Sequence, residues 1–432
     1  MNHLHSRTNG CVKGFAVANL TPVIDWRQMS QTSTSNETGA HGPTRTVAAI
    51  GVVGAGTMGA GIAELALTKG FRVALYDVSP EQLAKAQAGI ARNLEKLGAK
   101  GKLSADPADL LMHFVGVTDL HGLAGADVVI EAAPERLDLK KSLFSQLETM
   151  CPRAILATNT STLLVSAIAG GLADPSRVVG MHFFNPAQVL PLVEVIRGEE
   201  TSEEAVAVVA QLSRDLGKTP VVCQDTPGFI VNRVARPFYG EALRLLGERV
   251  ADAPTIDAIM RGVGFRMGPF ELMDLIGLDV NFASTVSVYE AFFHDPKYRP
   301  HPIQARMVAA GRLGRKTGKG FYEYGEEQSE RLAPEVSLEF AERISTRILA
   351  MLINEAVSAL ADGVADARTI DTAMKLGTNY PRGPLLWASE LGLPRVLAVL
   401  TELHEEYGED RYRPHPLLRR VVKAGEPSFY QE

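Results

Sequence analysis

Cysteine, tryptophan and long apolar runs are what this chain has least of. Its 432 residues include three cysteines and two tryptophans. Cys11, Cys151 and Cys223 stand far apart, in neither a disulfide framework nor a metal-ligand spacing. We therefore expect no metal site, and a reducing cytoplasm is the simplest location. No run of about twenty apolar residues occurs, which argues against a bilayer span. Long basic blocks are missing and the formal net charge is −6, so nucleic acid and anionic membrane are not expected as main partners. A local basic patch for a small anionic ligand stays open. The N-terminus lacks the basic start, apolar core and small-residue cleavage site of a secretory signal. Arginine is sparse before Asp25, which argues against an organelle-targeting peptide.

The remaining composition is that of a globular protein, with 46% hydrophobic and 22% charged residues. The length suffices for two or three domains. Residues 1–45 differ in character from the rest of the chain. The stretch 30–46, SQTSTSNETGAHGPTRT, can bury little apolar surface, so 1–45 reads as a disordered extension.

The organising stretch is 47–59, VAAIGVVGAGTMG, an apolar strand running into a glycine turn and a helix. Gly54, Gly56 and Gly59 fit G-x-G-x-x-G. Gly54 permits the tight turn, Gly56 lets backbone amides approach a pyrophosphate, and Gly59 lets helix pack on strand. The helix N-terminus would direct its amides and positive dipole end at the phosphates. A second strand, FRVALYD, ends in Asp77, 23 positions past Gly54 and near the spacing of a ribose-binding carboxylate.

From 47 to about 225 strands and helices alternate. Strands are expected at 48–53, 71–76, 113–117, 127–132, 154–158, 177–183, 192–196 and 219–223, with helices notably at 80–97, 138–149 and 202–216. This implies an α/β, Rossmann-like domain with a mostly parallel sheet covered on both faces. Beyond Pro227 the strand signal fades, and helices are expected over 229–249, 254–263, 270–294 and 302–311. A glycine- and lysine-rich passage at 311–325 and a polar linker then lead into a second helical set at 338–432. The expected division is 1–45, 46–226, 227–325, 326–337 and 338–432.

The second helical set repeats the first. EALRLLGERVADAPTIDAIM begins at Glu241 and EAVSALADGVADARTIDTAM at Glu355, an offset of 114. Gly268-Pro269 recurs as Gly383-Pro384, and YRPHP at Tyr298 recurs at Tyr412. Two tandem all-α modules should pack as a pseudo-symmetric pair. In chains with one copy, a second subunit would most simply cover the same face.

Several side chains suit chemistry. His182 and Glu194 lie in SRVVGMHFFNPAQVLPLVEVIRG, where a hairpin-like return could bring carboxylate onto imidazole. Such a pair suits general-base catalysis, although a core histidine with a satisfied partner reads equally well. Ser161, in ATNTSTL, could donate to a substrate oxygen or cap a helix over 162–169. Asn232, in TPGFIVNR, could hold substrate or be merely exposed. Glu131 and Glu135 could cap the next helix or line a cofactor groove, and Lys140 could be a solvated helix residue. Lys96, Lys100 and Lys102 could meet an anionic ligand or simply solvate a helix end.

Taken in order, GAGTMG, Asp77, EAAPE, NTS, HFFNPA, VEVIRG, DTPGFIVNR, GPFELMDLIGLD and GRKTGKGFYEY resemble the L-3-hydroxyacyl-CoA dehydrogenases. The resemblance runs from about 47 to 325, and the repeated module carries it to the C-terminus. The duplicated arrangement is similar to long bacterial forms acting on 3-hydroxybutyryl-CoA or on 3-hydroxyadipyl-CoA of phenylacetate breakdown. The resemblance implies His182 as catalytic base, Glu194 as its orienting carboxylate, and Ser161 and Asn232 as substrate-binding residues. It implies NAD contacts at Gly54, Gly56, Thr57, Met58, Gly59, Asp77, Ala132, Glu135, Lys140 and Asn185. An acyl-CoA substrate, fatty-acid β-oxidation, and a monomeric or homodimeric cytoplasmic enzyme are implied with it. In the second copy Thr346 stands where Asn232 stands in the first, and AGEPSFY replaces the full glycine-lysine passage. One active site is therefore expected. A same-scaffold dehydrogenase acting on hydroxy acids without CoA, and a catalytically silent NAD-binding protein, are the alternatives. Segment 1–45 is too short for a fused enoyl-CoA hydratase.

Overall fold

The computed structural model describes residues 45–325 and 335–430; the expectations for 1–44 and for most of the 326–337 linker lie outside the described residues. The described residues all belong to one compact unit.

The eight expected strands are all present: β1 (Ala49–Val53), β2 (Arg72–Tyr76), β3 (Phe114–Val117), β4 (Val128–Glu131), β5 (Ile155–Thr158), β6 (Val178–Phe183), β7 (Leu192–Arg197) and β8 (Thr219–Gln224). They form one sheet in the order β3-β2-β1-β4-β5-β6-β7-β8. Every neighbouring pair is parallel except β6–β7, joined by the short connection 184–191. β1, β4, β5 and β6 are buried along their whole lengths, as strands covered on both faces must be. The covering helices are α1 (Thr57–Thr68), α2 (Pro80–Ala99), α3 (Pro107–Leu111), α4 (Leu137–Met150), α5 (Val165–Ala169) and α6 (Glu203–Asp215).

The first helical set comprises α7 (Val231–Val234), α8 (Arg236–Gly247), α9 (Ala253–Gly262), α10 (Pro269–Ile276), α11 (Leu278–Ala291) and α12 (Pro302–Ala309). Two expected helices are each divided. The stretch 229–249 breaks at Ala235, where Pro237 supplies no amide to the preceding turn. The stretch 270–294 breaks at Gly277, whose φ of +99° lies outside helical space.

The second set is α13 (Leu338–Ala361), α14 (Ala367–Thr378), α15 (Pro384–Leu391), α16 (Leu393–Tyr407) and α17 (Pro416–Ala424). α13 is long and apolar enough to cross a membrane by length and composition, but 83% of its apolar window is buried here, with α8 among its main neighbours.

The repeat is visible atom by atom. Asp257 accepts from the amides of Phe270 and Glu271, both at 2.9 Å, while Asp371 accepts from Leu385 and Leu386, both at 2.8 Å. The Tyr322 hydroxyl donates to Asp257 at 2.6 Å, and the Tyr430 hydroxyl donates to Asp371. Between copies the contacts are reciprocal. Arg233 of the first copy donates to Glu355 at 2.8 Å and pairs with Asp362; Arg347 of the second donates to Glu241 at 2.5 Å and pairs with Glu248. Tyr298 donates to Glu355 at 2.5 Å and Tyr412 to Glu241 at 2.9 Å. The same patch on each copy meets the other's equivalent, as at a two-fold dimer interface, here within one chain.

The glycine-lysine passage is a strap around Asp274. That carboxylate accepts from the amides of Phe321 and Tyr322 and from the Tyr324 hydroxyl, each at 3.0 Å. A Cβ at Gly314 would lie 2.3 Å from the Asp274 carbonyl oxygen, and one at Gly320 would lie 2.1 Å from its Oδ1. The second copy has Ser389 at the matching position.

Candidate active site

Parallel strands deliver their carboxyl ends to one edge. On that edge lie the glycine turn after β1, Ala132 after β4, Asn159 to Ser161 after β5, and His182 near the end of β6. Three inter-strand spacings, roughly 14 Å, separate β1 from β6. A ligand touching both must be extended.

The glycine turn has the shape a dinucleotide needs. Gly54 has φ +101°, and a Cβ there would meet the Ala132 carbonyl oxygen at 2.8 Å. A Cβ on Gly59 would lie 1.7 Å from the Gly54 carbonyl oxygen, so helix and turn touch backbone to backbone. Above Gly56, the N-cap of α1, a Cβ would meet nothing within 4 Å. Thr57 and Met58 open the helix beside this clear space, and α1 starts without a side-chain cap. Asp77 accepts from Ala55 N–H at 2.8 Å and from Ser79 N–H at 2.9 Å. Each carboxylate oxygen retains a lone pair for a ribose hydroxyl. These features fit NAD.

Lys140 is not a solvated helix residue. It is buried in the first turn of α4 and donates to both Glu131 oxygens, at 2.7 and 2.9 Å. Glu131 also accepts from the Thr158 hydroxyl and the Ala133 amide, each at 2.7 Å. It therefore ties β4, β5 and α4 together and does not cap the helix. Glu135 lies 3.4 Å from Lys140 and accepts from the Thr160 hydroxyl and from the Ser161 and Thr162 amides, at 2.6, 2.8 and 3.0 Å. Burial alone would raise its pKa, but Lys140 and these donors outweigh that and hold it below the ordinary value. Glu135 thereby shapes the turn that carries Ser161. Ser161 is not a helix cap. α5 starts at Val165, where Asp225 accepts from the amides of Val165 and Ser166 at 2.9 and 2.7 Å.

His182 and Glu194 are directly opposed on the antiparallel β6–β7 pair. His182 Nδ1 lies 2.7 Å from Glu194 Oε2. A carboxylate only accepts, so Nδ1 carries the proton and Nε2 keeps its lone pair in the neutral ring. The other Glu194 oxygen accepts from the amides of Ile230 and Val231, at 3.1 and 2.9 Å. Those amides are aimed by two left-handed residues, Gly228 at φ +74° and Phe229 at φ +51°. A non-glycine residue in that region is costly, and such cost collects at functional sites. The imidazole is largely enclosed, its centroid 4.5 Å from that of Phe184 and 5.8 Å from that of Phe229.

Asn232 lies on α7, and its side-chain amide donates to the Ser161 carbonyl at 3.2 Å, joining helices to sheet. Asn185 is exposed in the β6–β7 connection. Two supporting groups escaped the sequence reading. Asn159 accepts from Phe183 N–H at 2.8 Å and steadies the end of β6, while the Ile230 and Val231 amides steady Glu194. The first sits in the NTS motif, but nothing in the sequence pairs it with β6. Lys96, Lys100 and Lys102 are grouped around the end of α2. Cys151 and Cys223 are buried and free, and no metal-holding cluster occurs among the described residues.

Residues 49–226 match the 3-hydroxyacyl-CoA dehydrogenase NAD binding domain, and the C-terminal domain of that family matches twice, at 228–324 and 344–429. The chain is 42% identical over 461 aligned positions to 3-hydroxyadipyl-CoA dehydrogenase of Escherichia coli K12, covering 87% of this chain and 97% of the relative. A probable 3-hydroxybutyryl-CoA dehydrogenase of Deinococcus radiodurans is 44% identical, covering 63% and 99%. Among solved structures, 3-hydroxybutyryl-CoA dehydrogenase from E. coli K12 superposes with a TM-score of 0.82 at 41% identity, covering 88% of this chain and 100% of the other. The Ralstonia eutropha (S)-3-hydroxybutyryl-CoA dehydrogenase, at TM-score 0.63 and 42% identity, covers 65% and 100%. With both domain types matched, the second of them twice, the chain belongs to the 3-hydroxyacyl-CoA dehydrogenase family.

Proposed function

We propose that this chain oxidises (3S)-3-hydroxyacyl-CoA to 3-oxoacyl-CoA with NAD, on substrates of the 3-hydroxybutyryl-CoA or 3-hydroxyadipyl-CoA type. The observation that supports this most is the His182–Glu194 pair at 2.7 Å, placed on the same sheet edge as the glycine turn. NAD, when bound, supplies the hydride acceptor. His182 takes the proton of the 3-hydroxyl on Nε2, and Glu194 stabilises the imidazolium that forms. Enclosure by Phe184 and Phe229 keeps water from the base. Ser161 and Asn232, tied together across the cleft, hold the reacting oxygen and the thioester end. The Gly54–Gly59 turn with Thr57 and Met58, and Asp77, Ala132, Glu135, Lys140 and Asn185, hold the cofactor. Asp77 favours NAD over NADP, because its charge repels a 2′-phosphate.

We assign the sheet domain to 46–226, the two helical domains to 227–325 and 338–432, and one active site to the first helical copy. The second copy covers in cis the face that a subunit would cover in single-copy chains. The protein then works as a monomer, or as a homodimer through another face, in the cytoplasm. The deciding assay is acetoacetyl-CoA-dependent oxidation of NADH, with NADPH and free acetoacetate as comparisons. Turnover of the thioester with NADH and little with NADPH is expected. Activity on the free acid, or equal rates with both cofactors, would contradict the assignment.

A further inference from the structure

Arg236 is the one buried arginine among the described residues with no carboxylate in ion-pair reach. Arg233 and Arg347 each have two, and Arg411 has Glu409 at 3.5 Å. Arg236 has instead the Asn232 carbonyl at 2.8 Å, the Thr285 hydroxyl at 3.1 Å and the Asn281 carbonyl at 3.4 Å, with its guanidinium 5.2 Å from the centre of the Tyr239 ring. A buried cation held only by neutral groups is costly and lacks a counter-charge. A second observation lies beside it. Tyr380, contributed by the second helical copy, packs its ring 5.6 Å from that of Phe238, two positions past Arg236, and has a buried hydroxyl with no hydrogen-bond partner.

The location connects this cluster to the site. Arg236 lies four positions past Asn232 and is anchored on its carbonyl, while the Asn232 side chain reaches Ser161. In a 3-hydroxyadipyl chain the distal carboxylate lies roughly 4–5 Å from C3, three carbon–carbon bonds on. The structure assigns Arg236, with the Tyr380 hydroxyl, as the subsite for the distal carboxylate of a dicarboxylic 3-hydroxyacyl-CoA. This rests on the proposed function and chooses the dicarboxylic of its two substrate types. The guanidinium supplies charge-assisted N–H donors, Tyr380 supplies a neutral one, and the carboxylate gives the buried charge its partner. A chain of equal length ending in methyl leaves the guanidinium without a counter-charge and the Tyr380 hydroxyl without a partner.

The test compares 3-oxoadipyl-CoA with 3-oxohexanoyl-CoA, equal in chain length, as oxidants of NADH. Wild type should favour the dicarboxylic substrate in kcat/KM by about 10- to 100-fold, the range for a charged hydrogen bond made or lost. In Arg236→Met that ratio should fall to near one or invert, and Arg236→Lys should keep part of it. Equal kcat/KM for the two thioesters in wild type overturns the subsite while leaving the dehydrogenase reading intact. Turnover of neither overturns both. The wild-type comparison stands even where a variant fails to fold.

Discussion

The His182 imidazole works only if one nitrogen is held and the other left open. Glu194 holds Nδ1, and two backbone amides hold Glu194. His182→Ala should therefore lower kcat by about 10² to 10⁴, the usual worth of a general base, and keep NADH affinity. Initial rates and a fluorescence titration of NADH separate the two; near-normal turnover would remove His182 from the role. Glu135 acts nearby, on the loop carrying Ser161. Its pKa is lowered in the fold, so its stabilisation is present above the ordinary carboxylate pKa and is lost as pH falls through the depressed one. The gap in Tm between wild type and Glu135→Gln should be widest near pH 7 and should close as pH drops through the carboxylate range. A gap unchanged with pH would show that charge is not what holds the turn. The pairing of His182 with Glu194 was legible in the sequence as a return of one strand on another. The support from Asn159 was not, because it joins residues 24 apart across separate strands.

Elements place these groups. β1, its glycine turn and α1 form a unit in which two glycines are required for different reasons. Gly59→Ala drives a methyl into the Gly54 carbonyl, so the turn must shift. Thermal unfolding should show a loss of about 1–3 kcal/mol, typical of an overpacked site, together with weaker NADH binding. Gly56→Ala has open space and should keep its Tm while binding NADH less tightly. If both variants lost stability equally, the turn would not be divided in this way. The apolar runs marked the strand positions, because a strand covered on both faces has few polar positions. Helix breaks were harder to read. Gly277 and the Ala235–Pro237 step interrupt segments whose hydrophobic spacing continues across them, and propensity alone does not say whether a helix bends or stops.

Across the whole molecule, the two helical copies lock through matched ion-pair clusters. Removing one partner from a buried pair costs about 3–5 kcal/mol, so Glu355→Gln and Glu241→Gln should lower stability by similar amounts. Their effects on rate should differ. Glu355 holds Arg233, which adjoins Asn232 and the amides that grip Glu194, whereas Glu241 holds Arg347, next to Thr346. At temperatures well below both Tm values, kcat should fall several-fold more in Glu355→Gln. Equal kcat values would mean that the Glu355–Arg233 pair does not position the site. Gly377 of α14 adds to this coupling, since a Cβ there would lie 2.8 Å from Leu192 of β7 and 3.0 Å from Val231 of α7.

The sequence by itself determined the strand positions, the glycine turn, the candidate base and its acid, and the tandem repeat. Each is a local pattern or a self-comparison, written in the order of the residues. Only the tertiary structure decided that the copies interlock reciprocally, that Lys140 is buried against Glu131, that Glu135 shapes the Ser161 turn, and that Arg236 is buried without an acid. Those depend on which charges meet once water is excluded, and distance along the chain does not encode that.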